Sequence, residues 1–379
     1  MIRPDEVAAS PSTGELRVLV YTPGIRGYFV QDSAEYVGGR EQQYSLLVPR
    51  LQQRPGLDVH AIVYDVPETK TDVTYHEIRH PSARPVSHLS FLRDVQRIWQ
   101  AVDPDIVLQS GAQASTYVLG GFCAFYGTPF VFHWASDADQ HGRKVPPSYL
   151  GPRLYRLSRA AATLNIVQTT KQREVVNGRS ELIPNILDER REWKQASGND
   201  VLWLGSIRDK KHPERFVQLA SELPSREFKM AGGFRGSDQF ETRLSRLIAE
   251  TPNLTHVGSV PREEVPEYLA TGRCLVNTSD VEGFSNTFLE AAAAGLPIVS
   301  FSHDPNDLIE QHDAGIVVEK TSLSLAEAVE RVFDETAWER YRKGCGEIAQ
   351  RHEADAIVDS FHTVLLETAN RGRGGPNTE

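Results

Sequence analysis

Short apolar segments alternate with longer helical patterns along nearly the whole chain, and this alternation constrains the fold more than any other feature. In the first half, the predicted strands are residues 16–21, 59–64, 105–108, 129–133 and 164–168. The helical patterns between them lie near residues 40–53, 88–101, 113–126 and 151–162. Strands that alternate with helices form a parallel sheet covered by helices on both faces. The sequence therefore predicts an α/β fold.

One polar stretch, residues 185–199, interrupts the alternation, which restarts with a strand pattern at 201–204. Later strand patterns lie at residues 254–258, 274–278, 297–301 and 315–318. We therefore predict two doubly wound, Rossmann-like domains, with ligands bound in a cleft at the carboxyl ends of the strands. The predicted boundaries are 1–190 for the first domain, 191–350 for the second, 351–371 for a final helix and 372–379 for a tail.

The charge of the chain argues against one class of partner. The 41 Lys and Arg residues face 51 Asp and Glu residues, which gives a net charge of −10. Residues 1–190 hold 20 of each sign, so the acidic excess lies in the second half. Because phosphate backbones bind to basic surfaces, we expect no nucleic acid partner.

Three further features predict a cytosolic, reduced protein. No run of residues approaches the roughly 18 to 20 apolar positions of a membrane-spanning helix. Residues 1–15 lack the apolar core of a secretory signal. The three cysteines are too few and too scattered for a disulfide framework or a zinc site; they are Cys123, Cys274 and Cys345.

The most informative segment runs from Asn277 to Pro297 and has the order strand, tight loop, helix, strand. Gly283 permits a close turn, Ser285 or Asn286 can cap the helix, and a glycine and a proline end it. The first amides of this helix carry the positive end of the helix dipole, which suits a diphosphate. The predicted anion site consists of Gly283, Phe284, Ser285, Asn286 and Thr287.

Two carboxylates flank this predicted anion site. Glu282 lies on the loop before the helix, where it can hold sugar hydroxyls, and Glu290 lies about one turn inside the helix, where it can accept hydrogen bonds from a ribose. The alternative interpretation is that both are ordinary surface acids near a helix start. The spacing alone does not decide between the two interpretations.

The segment EGFSNTFLEAAAAGLPIVS, residues 282–300, resembles the E-x7-E signature of retaining GT-B glycosyltransferases of the large group 1 family, glycosyltransferase family 4. The resemblance extends over nearly the whole chain. It implies a GT-B fold with an acceptor-binding first domain, a nucleotide-sugar-binding second domain and a final helix that crosses back to the first. It also implies transfer of a sugar from a nucleotide-diphosphate sugar to the hydroxyl of a sugar or lipid-linked acceptor. Such enzymes serve cell-surface polysaccharide or glycolipid synthesis.

A loop in the second half carries the cations that the resemblance implies. Residues 203–213 are similar to the first loop of the family's second domain, in which Gly205 is followed by Arg and then Lys. Lys211 matches the family lysine by spacing, whereas Ser206 stands where the family often has Arg. We expect Arg208 to supply that guanidinium and, with Lys211, to neutralise the leaving diphosphate without a metal ion. The resemblance implies no cofactor.

The remaining predicted site residues come from weaker matches. Gly39 begins a helix after a glycine-rich loop that faces the donor phosphate in the family, and Val260 follows a strand near the nucleobase. His133 ends a strand and matches a family histidine that contacts the transferred sugar. Asp137 and Asp139 follow it, either to bind acceptor hydroxyls or as part of a solvated loop. Residues 302–307 stand where the family often has a Gly-Gly loop. The identity of the transferred sugar is therefore not predicted.

Several alternatives remain open at this point. The same fold serves sugar phosphorylases and nucleotide-sugar epimerases, and a catalytically silent nucleotide-sugar-binding subunit would retain the same motifs. A basic and aromatic segment, residues 143–159, suits a peripheral contact with anionic lipid at the inner membrane face, although an ordinary amphipathic helix explains it equally simply. The nucleobase, the acceptor and the oligomeric state are not encoded in any of these motifs.

Overall fold

A computed structural model describes residues 14–26, 38–68, 71–79, 85–140, 161–280 and 282–373. The first half forms a seven-stranded, fully parallel sheet in the order β3-β2-β1-β4-β5-β6-β7. Its strands are β1 (Leu16–Tyr21), β2 (Leu57–Val63), β3 (Thr74–Glu77), β4 (Ile106–Ser110), β5 (Phe130–His133), β6 (Leu164–Val167) and β7 (Ser180–Leu182). The order reverses between β1 and β4, which is where doubly wound sheets bind their ligands.

Helices cover both faces of this sheet, as the continuous apolar strands require. They are α1 (Gly39–Gln52), α2 (Pro85–Val102), α3 (Ala114–Tyr126) and the short α4 (Thr170–Val175). Residues of β1 alternate between two clusters, with Val18 and Val20 packed under α1 and Leu19 packed under α2 and α3. The prediction missed β3 and β7, and most of the predicted helix at 151–162 lies outside the described residues.

The second half forms a six-stranded, parallel sheet in the order β10-β9-β8-β11-β12-β13. Its strands are β8 (Asp200–Leu204), β9 (Phe228–Ala231), β10 (Leu254–Gly258), β11 (Gly272–Asn277), β12 (Ile298–Ser300) and β13 (Gly315–Val317). The helices around it are α5 (Pro213–Glu222), α6 (Asp238–Ala249), α7 (Val265–Ala270), α8 (Asn286–Ala293), α9 (Leu308–Gln311), α10 (Leu325–Val332) and α11 (Glu335–Arg351).

The last helix, α12 (Ala354–Arg373), leaves the second domain and packs against the first. Ile357, Phe361 and Leu365 lie in one buried cluster with α1 and with the strands of the first sheet. At its start, Asp355 accepts a hydrogen bond from Arg54 at 2.8 Å. The chain therefore passes between the domains twice, which keeps the two sheets close together.

None of the helices within the described ranges combines the length and the apolar character that crossing a bilayer requires. The basic segment 143–159, for which membrane contact is one of two hypotheses, lies outside the described residues. Both hypotheses therefore stay open.

Candidate active site

The loop and helix that carry the E-x7-E spacing lie at the carboxyl edge of the second sheet. β11 ends at Asn277 and α8 begins at Asn286, with Ser285 at the N-cap position. The Ser285 hydroxyl is 2.8 Å from that of Thr287. Phe284 is only 8% exposed and packs against the ring of His352, with ring centroids 5.3 Å apart. Phe284 thus anchors the start of α8, while its backbone amide belongs to the predicted anion site.

Glu282 and Lys211, predicted from separate motifs, form an ion pair. The Nζ atom of Lys211 is 3.0 Å from Oε1 of Glu282, and both side chains are largely buried. The hydroxyl of Ser279 donates a second hydrogen bond to the same carboxylate oxygen. Burial alone would raise the pKa of Glu282, but the nearby Lys211 charge and the Ser279 hydroxyl lower it to about 2. Glu282 is therefore ionised at neutral pH.

Gly205 lies directly beneath this ion pair. A Cβ atom at Gly205 would be 3.0 Å from Nζ of Lys211, and one at Gly232 would overlap the carbonyl oxygen of Gly205. The φ angle is +156° at Gly205 and +150° at Gly232. These positive values, which glycine adopts readily, let the segment after β8 and the segment after β9 approach closely. The Thr278 hydroxyl donates a hydrogen bond to the Lys211 carbonyl at 2.6 Å, which fixes the lysine backbone against β11.

Arg208 immediately precedes the 3₁₀ turn that carries Lys211. Its backbone carbonyl accepts a hydrogen bond from the Lys211 amide at 3.0 Å, and its side chain is half-buried. The contact of Arg208 with a diphosphate stays a prediction. Val260, which follows β10, packs against the cluster of Leu204 and Tyr268, and its predicted place near the nucleobase also stays a prediction.

Glu290 faces the first domain. Its Oε1 atom accepts a hydrogen bond from the Gln42 side chain at 3.1 Å and lies 3.9 Å from Nη1 of Arg191. Only 8% of the residue is exposed. Burial raises the pKa of Glu290, although Arg191 and Gln42 oppose the shift. The predicted hydrogen bonds to a ribose would therefore compete with a contact between the domains.

Two more predicted residues, Gly39 and Asn286, contact each other where α1 of the first domain meets α8 of the second. The side-chain amide of Asn286 donates to the Gly39 carbonyl at 3.2 Å, and its oxygen accepts from Asn185 at 2.7 Å and from Gln43 at 3.2 Å. A Cβ atom at Gly39 would lie 3.0 Å from the Asn286 nitrogen. The start of α1 therefore approaches the start of α8 directly.

The side chain of His133 is buried and does not face this cleft. It is 3% exposed, its Nδ1 atom is 3.2 Å from the Tyr44 hydroxyl, and its Nε2 atom is 3.4 Å from the Gln168 side chain. Its ring packs edge-on against Phe361 of α12. Burial lowers the pKa of His133 to about 3, so the ring is neutral. These contacts do not support the predicted sugar contact, because they direct the ring into the core between α1 and α12.

The residues after His133 reach the predicted site instead. A Cβ atom at Gly283 would be 3.1 Å from the Ala135 carbonyl oxygen and from Cα of Ser136. Asp139 fixes this loop, because its carboxylate accepts hydrogen bonds from the amides of Ala112, Ala135 and Ser136 at 2.9, 2.7 and 2.9 Å. Asp139 is fully buried, so it holds the loop in place and does not bind an acceptor.

Sequence reasoning assigned no role to Ser279, His303 or Asn306, which the structure places around the predicted site. His303 and Asn306 lie on the loop after β12, and Asn306 bonds to the backbone of the first domain through Thr170 and Gln168. The sequence did offer one signal for His303 and Asn306. Their loop follows a strand, and loops at the carboxyl ends of strands border the ligand site in this type of fold.

One group of carboxylates within the described ranges is close enough to hold a metal ion. Oxygens of Asp304, Asp307 and Glu310 lie within 4.8 Å of one another. The ammonium of Lys320 contacts the same group, at 2.6 Å from Asp307 Oδ1 and 3.6 Å from Asp304 Oδ2. Burial would lower the pKa of Lys320, but its hydrogen bonds to Asp307 and Glu310 raise it. A cation of the chain itself therefore contacts all three carboxylates.

Comparison with known proteins finds a family match in the domain that holds most of this site. Residues 198–335 match the family described as Glycosyl transferases group 1. This match lies within the second domain, which is therefore similar to that family. A GDP-mannose-dependent alpha-mannosyltransferase of Mycobacterium tuberculosis is 25% identical over 213 residues, which cover 52% of this chain and 50% of that protein. The chain therefore spans about half the length of the curated relative that it matches.

The two domains together match solved structures along almost the whole chain. A sucrose-phosphate synthase from Thermosynechococcus elongatus has a TM-score of 0.75 at 16% identity, covering 93% of this chain and 99% of its own. Anabaena HepE in complex with UDP-glucose has a TM-score of 0.67 at 15% identity, covering 93% and 100%. Identities this low show the fold alone. The predicted GT-B fold, with two parallel α/β domains, is confirmed.

Proposed function

We propose that the chain is a retaining glycosyltransferase that moves a sugar from a nucleotide-diphosphate sugar to an acceptor hydroxyl. The observation that carries this proposal is the Lys211–Glu282 pair, which lies between Gly205 and the start of α8 at the carboxyl edge of the second domain. A lysine held there can neutralise the charge that develops on a leaving diphosphate. An ionised carboxylate beside it can accept hydrogen bonds from sugar hydroxyls.

The proposed chemistry needs no divalent metal and no other cofactor. Lys211, Arg208 and the first amides of α8 supply the positive charge that the diphosphate requires. Retention is proposed to follow front-face attack, in which a donor phosphate oxygen takes the proton of the acceptor hydroxyl. No side chain then has to act as a general base, in contrast to the paired carboxylates of glycosidases.

The proposed donors come from the relatives. The Mycobacterium tuberculosis relative is GDP-mannose-dependent, and Anabaena HepE was solved with UDP-glucose. We therefore propose GDP-mannose and UDP-glucose as the first donors to test. The proposed acceptor is a sugar or a lipid-linked sugar, bound by the first domain in cell-surface polysaccharide or glycolipid synthesis.

A nucleotide-release assay tests the function. Purified protein is incubated with GDP-mannose, UDP-glucose, ADP-glucose or dTDP-glucose, with and without a mixture of simple sugar acceptors, and the free nucleoside diphosphate is measured. We expect release with one donor and its loss in Glu282→Gln. The control is Glu214→Gln, because Glu214 also forms an ion pair, with Arg243 at 2.8 Å, but does so on the outer face of α5.

The same assay separates the rival functions. Turnover that requires inorganic phosphate would indicate a phosphorylase, and conversion of the donor without nucleotide release would indicate an epimerase. Binding of a nucleotide-sugar without any turnover would indicate a silent binding subunit. Failure to bind any of the four donors would contradict the proposed function itself.

A further inference from the structure

His303 lies on the loop that follows β12, near enough to Glu282 for the carboxylate charge to act on its ring. The Ser300 hydroxyl donates a hydrogen bond to the His303 carbonyl. The imidazole packs against Phe288 of α8, with ring centroids 5.8 Å apart. The next residue, Asp304, accepts a hydrogen bond from the Ile309 amide at 2.8 Å and so holds the following turn. The backbone of the loop and one face of the imidazole are therefore held in place.

One ring nitrogen of His303 lacks a partner. The backbone of Gly283 lies near the ring and raises its pKa. The Nε2 atom is buried and has no hydrogen-bond partner in the described part of the chain. A buried polar atom without a partner costs free energy, so such an atom in a folded protein calls for an explanation.

The protonation of the ring follows from its surroundings. Burial lowers the pKa of His303, although the charges of Glu282 and Asp137 oppose the shift, and the ring is neutral at pH 7. A neutral imidazole has one donor nitrogen and one acceptor nitrogen. With the proton on Nδ1, Nε2 carries the lone pair and can accept a hydrogen bond from a hydroxyl.

We propose that His303 Nε2 accepts a hydrogen bond from one hydroxyl of the transferred sugar and thereby selects donors that carry a hydroxyl at that position. This inference rests on the proposed glycosyltransferase function and adds a specificity residue to it. A site that is built to bind a hydroxyl discriminates strongly against an analogue without one, because the buried partner is then left unsatisfied. The diphosphate, held by Lys211 and α8, does not depend on this contact.

Calorimetry can separate the sugar contact from the nucleotide contact. Dissociation constants are measured for GDP, GDP-mannose, UDP and UDP-glucose with the wild type and with His303→Ala. We expect His303→Ala to leave binding of the nucleoside diphosphate unchanged within about 2-fold and to weaken binding of the nucleotide-sugar by about 5- to 50-fold. His303→Gln, which keeps a side-chain acceptor, should recover part of the loss. Unchanged diphosphate binding also shows that the variant is folded.

His312→Ala is the matched control. His312 is a mostly buried histidine shortly after the same loop, but its ring nitrogen is 3.4 Å from Glu347 on α11, away from Glu282. We expect this variant to bind all four ligands as the wild type does.

Deoxyfluoro analogues of the bound donor then identify the hydroxyl. The analogue that lacks the contacting hydroxyl should bind the wild type weakly and show no further loss with His303→Ala, because both changes remove the same hydrogen bond. Equal weakening of diphosphate and nucleotide-sugar by His303→Ala, or no weakening of either, would overturn the proposal while leaving the glycosyltransferase function intact. If the wild type binds no nucleotide-sugar, the proposed function fails and the inference fails with it.

Discussion

The side chain of Gln42, in the first domain, donates a hydrogen bond to Glu290, in the second, across 3.1 Å. Arg191, from the segment that links the domains, lies 3.9 Å from the same carboxylate oxygen. A ribose that binds to Glu290 must therefore replace Gln42 or share the carboxylate with it. This relationship couples nucleotide binding to the contact between α1 and α8.

We predict that Glu290→Gln weakens nucleotide binding, because a charge-assisted hydrogen bond to the ribose is lost. The expected loss is about 10- to 150-fold in affinity, measured by calorimetry with the nucleotide that binds best. Gln42→Ala removes the competing partner and should bind the nucleotide at least as tightly as the wild type. An unchanged dissociation constant for Glu290→Gln would leave Glu290 as a contact between domains and nothing more.

The two carboxylates of the E-x7-E segment should affect stability in opposite directions. The pKa of Glu282 is lowered to about 2 from 4.5, so its ion pair stabilises the fold above pH 4.5 and this contribution is lost as the pH falls toward 2. The pKa of Glu290 is raised, so its ionisation opposes folding as the pH rises above 4.5. At pH 7 we expect a lower melting temperature for Glu282→Gln and an equal or higher one for Glu290→Gln.

Thermal melts of both variants at pH 7 and pH 3 test this pair of expectations. The difference between the wild type and Glu282→Gln should shrink at pH 3, because protonation then favours the unfolded wild type. A Glu282→Gln variant as stable as the wild type at pH 7 would show that the Lys211–Glu282 pair does not stabilise the fold.

We predict that activity survives EDTA. We expect Lys211 and Arg208 to supply the positive charge for the diphosphate, and the ammonium of Lys320 contacts the carboxylates of Asp304, Asp307 and Glu310. The measurement is nucleotide release with the active donor before and after dialysis against EDTA. Complete loss of activity, restored by Mg²⁺ or Mn²⁺, would contradict the metal-independent mechanism.

The parts of the site that were predictable from the sequence lie within single segments. The turn at Gly205, the loop at Glu282 and the start of α8 are encoded by glycine, capping residues and helix periodicity, all of which act over a few residues. Lys211 and Glu282 were each predicted from such a segment, but the ion pair between them was not. Contacts such as Gln42 with Glu290 depend on how the domains meet, and no local pattern encodes that arrangement.

The surroundings of His133 depend on a distant part of the chain. The strand pattern correctly placed it at the end of β5, but successive side chains of a strand point to opposite faces of the sheet. His133 points toward α12, a helix that is more than 200 residues later in the sequence. Sequence position alone therefore could not show that Phe361 would cover the ring.

We predict that Asn306 stabilises the closed arrangement of the two domains. Its side-chain oxygen accepts from the Thr170 amide at 2.8 Å, and its nitrogen donates to the Gln168 carbonyl at 2.9 Å. Asn306 also has a φ angle of +60°, which most residues adopt only at a cost. Asn306→Gly removes the contacts without strain, whereas Asn306→Ala removes them and adds strain.

Both Asn306 variants should shift small-angle X-ray scattering toward a larger radius of gyration, because both lose the bridge. Asn306→Ala should also melt at a lower temperature than Asn306→Gly, by the equivalent of about 1 kcal/mol. An unchanged radius of gyration in both variants would show that the contact between α1 and α8 holds the domains together without Asn306.

The last prediction concerns Lys211 and Arg208, two of the cations at one turn. If both contact the diphosphate, each change to Ala should slow transfer by about 10²- to 10³-fold, the usual effect of removing one preorganised stabilising charge. The loss should appear in kcat as well as in kcat/KM, because the charge on the leaving group grows toward the transition state. Lys210→Ala, at the exposed neighbouring position, is the control and should retain activity.

Stability distinguishes the two variants further, because Lys211 pairs with the buried carboxylate of Glu282. Lys211→Ala leaves that charge without its partner and should lower the melting temperature, whereas Lys211→Ala combined with Glu282→Gln should recover part of the stability but none of the activity. If Lys211→Ala has little activity and Arg208→Ala is fully active, Arg208 does not take the role of the family arginine that Ser206 replaces. Full activity in both single variants would refute the proposed role of Lys211 and Arg208 at the diphosphate.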